Sequence, residues 1–353
     1  EFSEAEKKTA ATALSKHSSF TGSLDGKGYA LKNFEFNTYP YLITKMTGGS
    51  IEDLVVEGMK IDGTGMRATY SGLIGNIVSG TRLKQIVIRD SEIKGIYQNA
   101  GALVGYAERA TIEDCVVSGI RLETDTPGQN IRAGGLVGRA NASQITNCFV
   151  RKLETDALKG QTVEGIGGMV GYVDNGTTIR NCYAQGSIDS GFSRTGGLVG
   201  YLNGMLISGW SRVALNTTAP YVGGSTGIID TSASMSQILV LGEVFTTASD
   251  NYGRINGGYL GTPREFTRCY AAASQKINSQ KLENDPMDGN GLLADTQLKM
   301  ERDYWNTANV GEAFDYSHVE AGYLPFLYNK KGTELLPEQD YDKDGISVVS
   351  SVT

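Results

Sequence analysis

The sequence predicts an all-β chain wound as a right-handed parallel β-helix of about nine coils, three short strands per coil, with a cap at each end. Three observations predict it. A unit of about 30 residues recurs along the chain, a glycine cluster marks the same place in each unit, and short apolar runs stand where helical periodicity would otherwise appear. Periods of this size belong to solenoids, in which each unit covers the apolar face of its neighbour.

The glycine clusters are GLIG ending at Gly75, GALVG at Gly105, GGLVG at Gly138, GGMVG at Gly171 and GGLVG at Gly200, with degenerate copies GGSTG at Gly227 and GGYLG at Gly261. A single glycine cluster between a strand and a helix would suggest a phosphate cradle. Seven spaced copies suggest architecture, each marking a sharp corner before a buried strand. A second motif follows each cluster: RLKQIVI, TIEDCVV, QITNCFV, TIRNCYA, LISGWSR, MSQILVL and EFTRCYA, with earlier copies SIEDLVV from Ser50 and ALKNFEF from Ala30. Nine copies thus occupy residues 20–274. Runs such as LVGY, CVV and IRL are too short and too often broken by glycine for helices. Propeller blades would need about four strands per 40 or more residues.

In a coil of this kind Ile112, Ile145 and Ile179 face inward at the end of one strand, and Cys115, Cys148 and Cys182 face inward at the start of the next. Between them lies a two-residue bend whose second position reads Asn33, Asp53, Asp114, Asn147 and Asn181. These residue types tolerate positive φ and bond their own backbone. The cysteine column reads as buried small hydrophobes, continued by Cys269 and completed by Leu54, Ile86, Trp210 and Ile238. Outside the repeat, residues 1–19 read as an N-terminal cap or lead-in, whose opening Glu1-Phe2 is compatible with a cloning scar. Residues 275–339 read as a C-terminal capping region and 340–353 as an acidic tail or linker.

Composition excludes several functions. With 32 Lys plus Arg against 39 Asp plus Glu, the formal net charge is −7, which disfavours capture of nucleic acid or an anionic membrane. No run of eighteen apolar residues and no signal peptide is visible, so export is expected to depend on a segment outside this sequence. The only histidines, His17 and His318, lie about 300 residues apart, no HExxH is present, and the cysteines lack zinc spacing. Catalytic residues are therefore expected to be none. Carboxylates such as Glu52, Asp53, Glu113 and Asp114 read as bends and solvated faces rather than the paired acids of a polysaccharide lyase. The sequons at Asn141, Asn175 and Asn216 fall in or beside bends rich in Asn and Thr, where chance accounts for them. Near the end, Asp340, Asp342 and Asp344 with Gly345 match the first half of a calcium loop, but Ser351 stands where the bidentate glutamate belongs, so calcium is a weak expectation.

Length variation concentrates before the glycine corner, in DGTGMRATY from Asp62, ETDTPGQNIR from Glu123, TDALKGQTVEG from Thr155 and TTASDNYGRIN from Thr246. Insertions at one repeat position project from one edge. That edge carries Arg67, Tyr70, Arg132, Lys159, Tyr252 and Arg254, and Tyr and Arg are favoured interface anchors. These six are the candidate binding residues.

The unit GGLVGRANASQITNCFV from Gly134 resembles the GLUG repeat of bacterial surface proteins. FTGSLDGKGYALKNFEF from Phe20 and YLITKMTGGSIEDLVVEGMKI from Tyr41 resemble the start of the N-terminal region of the immunoglobulin A-cleaving zinc metallopeptidases of Gram-positive bacteria. YWNTANVGEAFDYSHVEAGYLPFLYNKKGTELLPEQ from Tyr304 resembles the end of that region. The resemblance implies a non-catalytic module of a secreted or cell-wall-attached virulence protease. Its zinc and HExxH lie in a separate catalytic domain absent here, and its partners are that domain and a host protein, immunoglobulin A. The rival readings are an adhesin or stalk module binding a host ligand and, further off, a β-helix polysaccharide lyase.

Overall fold

The computed structural model describes residues 19–124, 128–156, 160–191, 193–262, 265–272, 275–279, 292–294, 314–315 and 326–327. Every described element is a strand, and all strand pairs but the terminal Phe314–Asp315 with Phe326–Leu327 are parallel. The result is a parallel β-solenoid of about eight turns, each coil lying on the one before. A central coil runs as Asn99–Gly101, the glycine corner, Val104–Glu108, a short turn, Thr111–Glu113, a bend at Asp114, and Val116–Glu123. This is four strands, one more than expected, because the residues just before the glycine corner form a wall of their own. Two of the presumed insertions, Gly128–Gly134 and Gly160–Gly167, are strands paired in that wall.

Registration is strict through the middle. Val104, Val137, Val170, Val199 and Thr226 stack in one column, and Ile112, Ile145, Ile179, Leu206 and Met235 in another. Together with Cys115, Cys148 and Cys182 they fill one continuous apolar core. The cysteines are free and buried. Each thiol donates to the carbonyl two residues back, Cys148 to Thr146 at 3.3 Å and Cys182 to Arg180 at 3.2 Å. Burial pushes the Cys115 and Cys148 thiols well above their usual range, so they are packing residues rather than nucleophiles.

The bend is the most regular feature. Asp53, Gln85, Asp114, Asn147, Asn181, Ser208, Gln237 and Arg268 all take φ between 51° and 56°. In each of the central coils the bend amide donates to the next coil: Asp53 to Lys84 O, Gln85 to Glu113 O, Asp114 to Thr146 O and Asn147 to Arg180 O, all at 3.1 Å. Side chains add a second ladder where they are long enough, Asn181 Nδ2 to Asn147 Oδ1 at 3.0 Å and Asn147 Nδ2 to Asp114 Oδ1 at 3.1 Å.

Two register expectations are corrected. Asn33 does not share this bend: Ala30 pairs with Val55 and Glu35 with Lys60, which sets Asn33 beside Gly58 at the following bend. In the first coil a longer turn around Gly26 and Gly28 takes the place of the regular bend, so ALKNFEF is out of phase and eight regular copies remain of the nine counted. Trp210 is likewise displaced by one residue. Gly209 pairs with Cys182 and Trp210 with Tyr183, so Trp210 faces outward and stacks on Tyr183 at 4.3 Å, as Tyr183 does on Phe149 at 4.7 Å. At the other end Leu292–Ala294 pairs in parallel with Tyr270–Ala272, carrying the ladder past residue 274.

The corner glycines are required by close approach rather than by φ. None of Gly134, Gly138, Gly167 or Gly171 has positive φ. A methyl group on Gly138 would stand 2.5 Å from Ala100 N and 2.6 Å from Gly105 O, both backbone atoms that cannot swing aside. Gly138→Ala is therefore expected to cost roughly 3 kcal/mol or more, on the scale of overpacked cores. Gly80, with φ of 79° and nothing within 4 Å, should lose only about 1 kcal/mol on the same change. Denaturant midpoints of the two variants check the contrast.

Candidate functional site

At the glycine corner the chain folds back so tightly that the outer faces of two walls lie backbone to backbone. Beyond the glycines, side chains from the two walls meet and close the mouth of the corner. One wall supplies Tyr106, Arg139, Tyr172 and Tyr201, stacked in register. The opposite wall supplies Tyr70, Asn99, Arg132, Gly165 and Arg194.

These residues interleave as a seam of rings and guanidinium groups. Tyr70 and Tyr106 lie with ring centroids 6.2 Å apart. The Arg139 guanidinium sits between two rings, 5.3 Å from the centroid of Tyr106 and 5.6 Å from that of Tyr172. Arg132 lies over Tyr172 at 5.3 Å, Tyr172 stacks on Tyr201 at 4.3 Å, and Arg194 lies over Tyr201 at 5.4 Å. Cation–π contacts of this kind contribute about 0.5–1 kcal/mol each at partly exposed sites.

Polar partners fix the orientation. Arg139 donates Nε to Asp174 Oδ2 at 2.6 Å and Nη2 to Asp174 Oδ1 at 3.2 Å, a two-point pairing that raises the arginine further above its ordinary range. Arg132 Nη1 donates to Asn99 Oδ1 at 3.3 Å. The Tyr201 hydroxyl donates to Asp230 Oδ2. Burial, then this bond, pushes the Tyr201 phenol far above its normal value, so it remains a donor at every ordinary pH. The same hydrogen bond holds the Asp230 carboxyl below its usual range.

The six residues expected at an edge do not form one surface. Tyr70 and Arg132 lie in the seam, while Arg67 is exposed on the turn before Tyr70, at φ of 52°. Tyr252 packs against the end of the core. Arg254 is corrected: it is 1% exposed and sits above Gly224, where its carbonyl accepts from Gln275 Nε2 at 3.2 Å. Lys159 and the calcium candidates Asp340, Asp342 and Asp344 lie outside the described residues. Among the described residues no three His, Cys, Asp or Glu side chains could hold a metal ion, and no helix is long and apolar enough to cross a membrane. The seam residues missed in sequence had a signal: Tyr106, Arg139, Tyr172 and Tyr201 each directly follow the last glycine of a cluster.

Comparison with known proteins agrees with the repeat. The GLUG motif matches residues 96–122 and 162–189. The chain is similar to the immunoglobulin A1 protease of Streptococcus pneumoniae strain ATCC BAA-255 / R6, 27% identical over 274 residues, which are 75% of this chain and 12% of that protein. A second immunoglobulin A1 protease of Streptococcus pneumoniae is 26% identical over 191 residues, 52% of this chain and 9% of that protein. A Bacteroides ovatus crystal structure, provisionally called an immunoglobulin A1 protease, shares 16% identity with a TM-score of 0.36, covering 86% of this chain and 76% of that one. The chain thus carries GLUG repeats homologous to part of immunoglobulin A1 proteases, and spans 12% or less of those streptococcal proteins.

The Tyr201–Asp230 bond makes a pH-dependent prediction. A carboxyl held below its unfolded value stabilises the fold above that value, near 3.8, and the contribution disappears as pH falls through the folded value. Tyr201→Phe should lower stability by about 1 kcal/mol near neutrality. The gap between the parent and variant unfolding midpoints should narrow in acid well below 3.8.

Proposed function

We propose that this chain is a non-catalytic recognition and scaffold module of an extracellular zinc metalloprotease that acts on immunoglobulin A, its zinc and HExxH residing in another domain. The observation that carries the reading is the similarity of three quarters of the chain to a stretch of the streptococcal immunoglobulin A1 proteases. A parallel solenoid suits the role physically. Its hydrogen-bonded coils hold surface side chains at fixed spacing, so a partner meets a preorganised face. Of the candidate edge residues, Arg67, Tyr70 and Arg132 lie at or beside the seam and are at least partly exposed, and Tyr and Arg are the residue types that most often dominate binding energy.

The test is capture of immunoglobulin A1 by the immobilised chain. Replacing Arg67, Tyr70 and Arg132 together by alanine should weaken capture at least tenfold, a loss of about 1.4 kcal/mol, while the variant, which gives up the Tyr70–Tyr106 stack and the Arg132 contacts with Tyr172 and Asn99, still unfolds cooperatively with its stability lowered by about 1–2 kcal/mol. Equal capture by parent and variant, or none by either, would count against recognition through this edge. Binding of a different host ligand with none of immunoglobulin A would favour the adhesin reading.

A further inference from the structure

Asparagine followed by glycine is prone to lose its side-chain amide, because no β-carbon on the second residue shields the main-chain nitrogen that attacks. Four such pairs occur in the chain: Asn175-Gly176, Asn203-Gly204, Asn256-Gly257 and Asn290-Gly291. The last lies outside the described residues. The other three share one local chemistry and have three different surroundings, so the fold decides among them.

Asn256 is fully buried. Its Nδ2 donates to the Tyr259 hydroxyl at 2.8 Å. The Gly257 amide, which would have to attack, already donates to the carbonyls of Thr226 at 3.0 Å and Gly227 at 3.1 Å. Asn203 is half-buried, and its Oδ1 accepts from the Ser232 hydroxyl. A β-carbon on the following Gly204 would stand 2.5 Å from Thr177 O, so the backbone there is pressed against the neighbouring coil.

Asn175 has none of these restraints. It is exposed in the tight turn between Val170–Val173 and Thr178–Ser190, which is closed by Thr177 N donating to Asp174 O at 3.3 Å. Among the described residues its side chain has no hydrogen-bond partner and the Gly176 N–H has no acceptor. Gly176 is exposed as well and takes φ of 79°, with only Ala142 near the place a β-carbon would occupy. Exposed turns of this kind open locally at little cost, whereas a buried coil opens only with its neighbours.

We propose that Asn175 is a site of spontaneous deamidation in the folded protein, and that Asn203 and Asn256 are protected by their surroundings. The Gly176 nitrogen gives its proton to solvent base and attacks Asn175 Cγ. A bond from nitrogen to Cγ forms, the Cγ–Nδ2 bond breaks, and ammonia leaves with a proton from water. Water then opens the cyclic imide, at the side-chain carbonyl to give aspartate or at the main-chain carbonyl to give isoaspartate. Either product sets a new carboxylate directly after Asp174, the residue that holds Arg139 between the rings of Tyr106 and Tyr172. The charge beside the seam changes whether or not the seam recognises a partner.

The experiment incubates the whole chain at mildly alkaline pH, folded and in denaturant, and maps its peptides by mass spectrometry with isoaspartyl methyltransferase labelling. In denaturant the three pairs should convert at comparable rates. In the folded chain Asn175 should convert roughly tenfold or more faster than Asn203 or Asn256, a barrier difference of about 1.4 kcal/mol or more. Both isoaspartate and aspartate should accumulate at position 175. Gly176→Ala should slow the conversion by a similar factor, and its cooperative unfolding establishes that it folds. Conversion of Asn203 or Asn256 in the folded chain as fast as that of Asn175 overturns the proposal. So does an Asn175 that stays intact over the time in which the denatured chain converts.

Discussion

At each bend from Asp53 to Arg268 the backbone turns through left-handed φ, and because this happens at the same residue of each coil, every strand after it begins in register with the strand below. A slip of one residue would turn each inward Ile or Cys to the outside. The bend amides donate to the following coil at a constant 3.1 Å through four consecutive central coils, so the turn is also a rung of the ladder. Core, glycine corner and seam all inherit their spacing from it. Asn and Asp dominate the N-terminal half of the column because they adopt this conformation at least cost among residues with side chains. Gln85, Ser208, Gln237 and Arg268 show that tertiary pairing imposes the same φ on residues with weaker preference for it.

The glycine corner is the complementary constraint. Two walls pressed backbone to backbone leave no room for a β-carbon, as the 2.5 Å approach to Ala100 N at Gly138 demonstrates. The same closeness brings the next side chains of both walls together, which is why tyrosine and arginine follow the glycines and interleave. Architecture and candidate surface therefore share one cause. The module can offer a rigid line of rings and cations because its corner is too tight for anything but glycine.

Much of this was legible in the sequence, for identifiable reasons. The repeat, the strands and the cysteine column follow from spacing, and four of the five named bend residues sit where their chemistry put them. Asn33 misled because its motif resembles the later copies while the first coil turns earlier and longer. Trp210 misled because an inward Gly209 is invisible to a pattern that looks for apolar residues. The edge was harder. Arg132 lies in a strand, and Arg254 enters the core at the column occupied by Gly168, Gly197 and Gly224, since which charged side chains fold inward depends on space across the coil, which periodicity does not report. The seam could have been found by extending each glycine cluster by one residue.

Left-handed backbone at the bend, more than any side-chain contact, keeps the coils in register. The direct measurement is the unfolding free energy of Asn147→Gly and Asn147→Ala in the whole chain. Both variants lose the bonds to Asp114 and Asn181, so the comparison sets the cost of a φ of 54° in alanine against the greater freedom of glycine in the unfolded chain. Asn147→Gly should be the more stable by about 1 kcal/mol, the reverse of the order found inside regular strands and helices. Alanine equal to or more stable than glycine would contradict it.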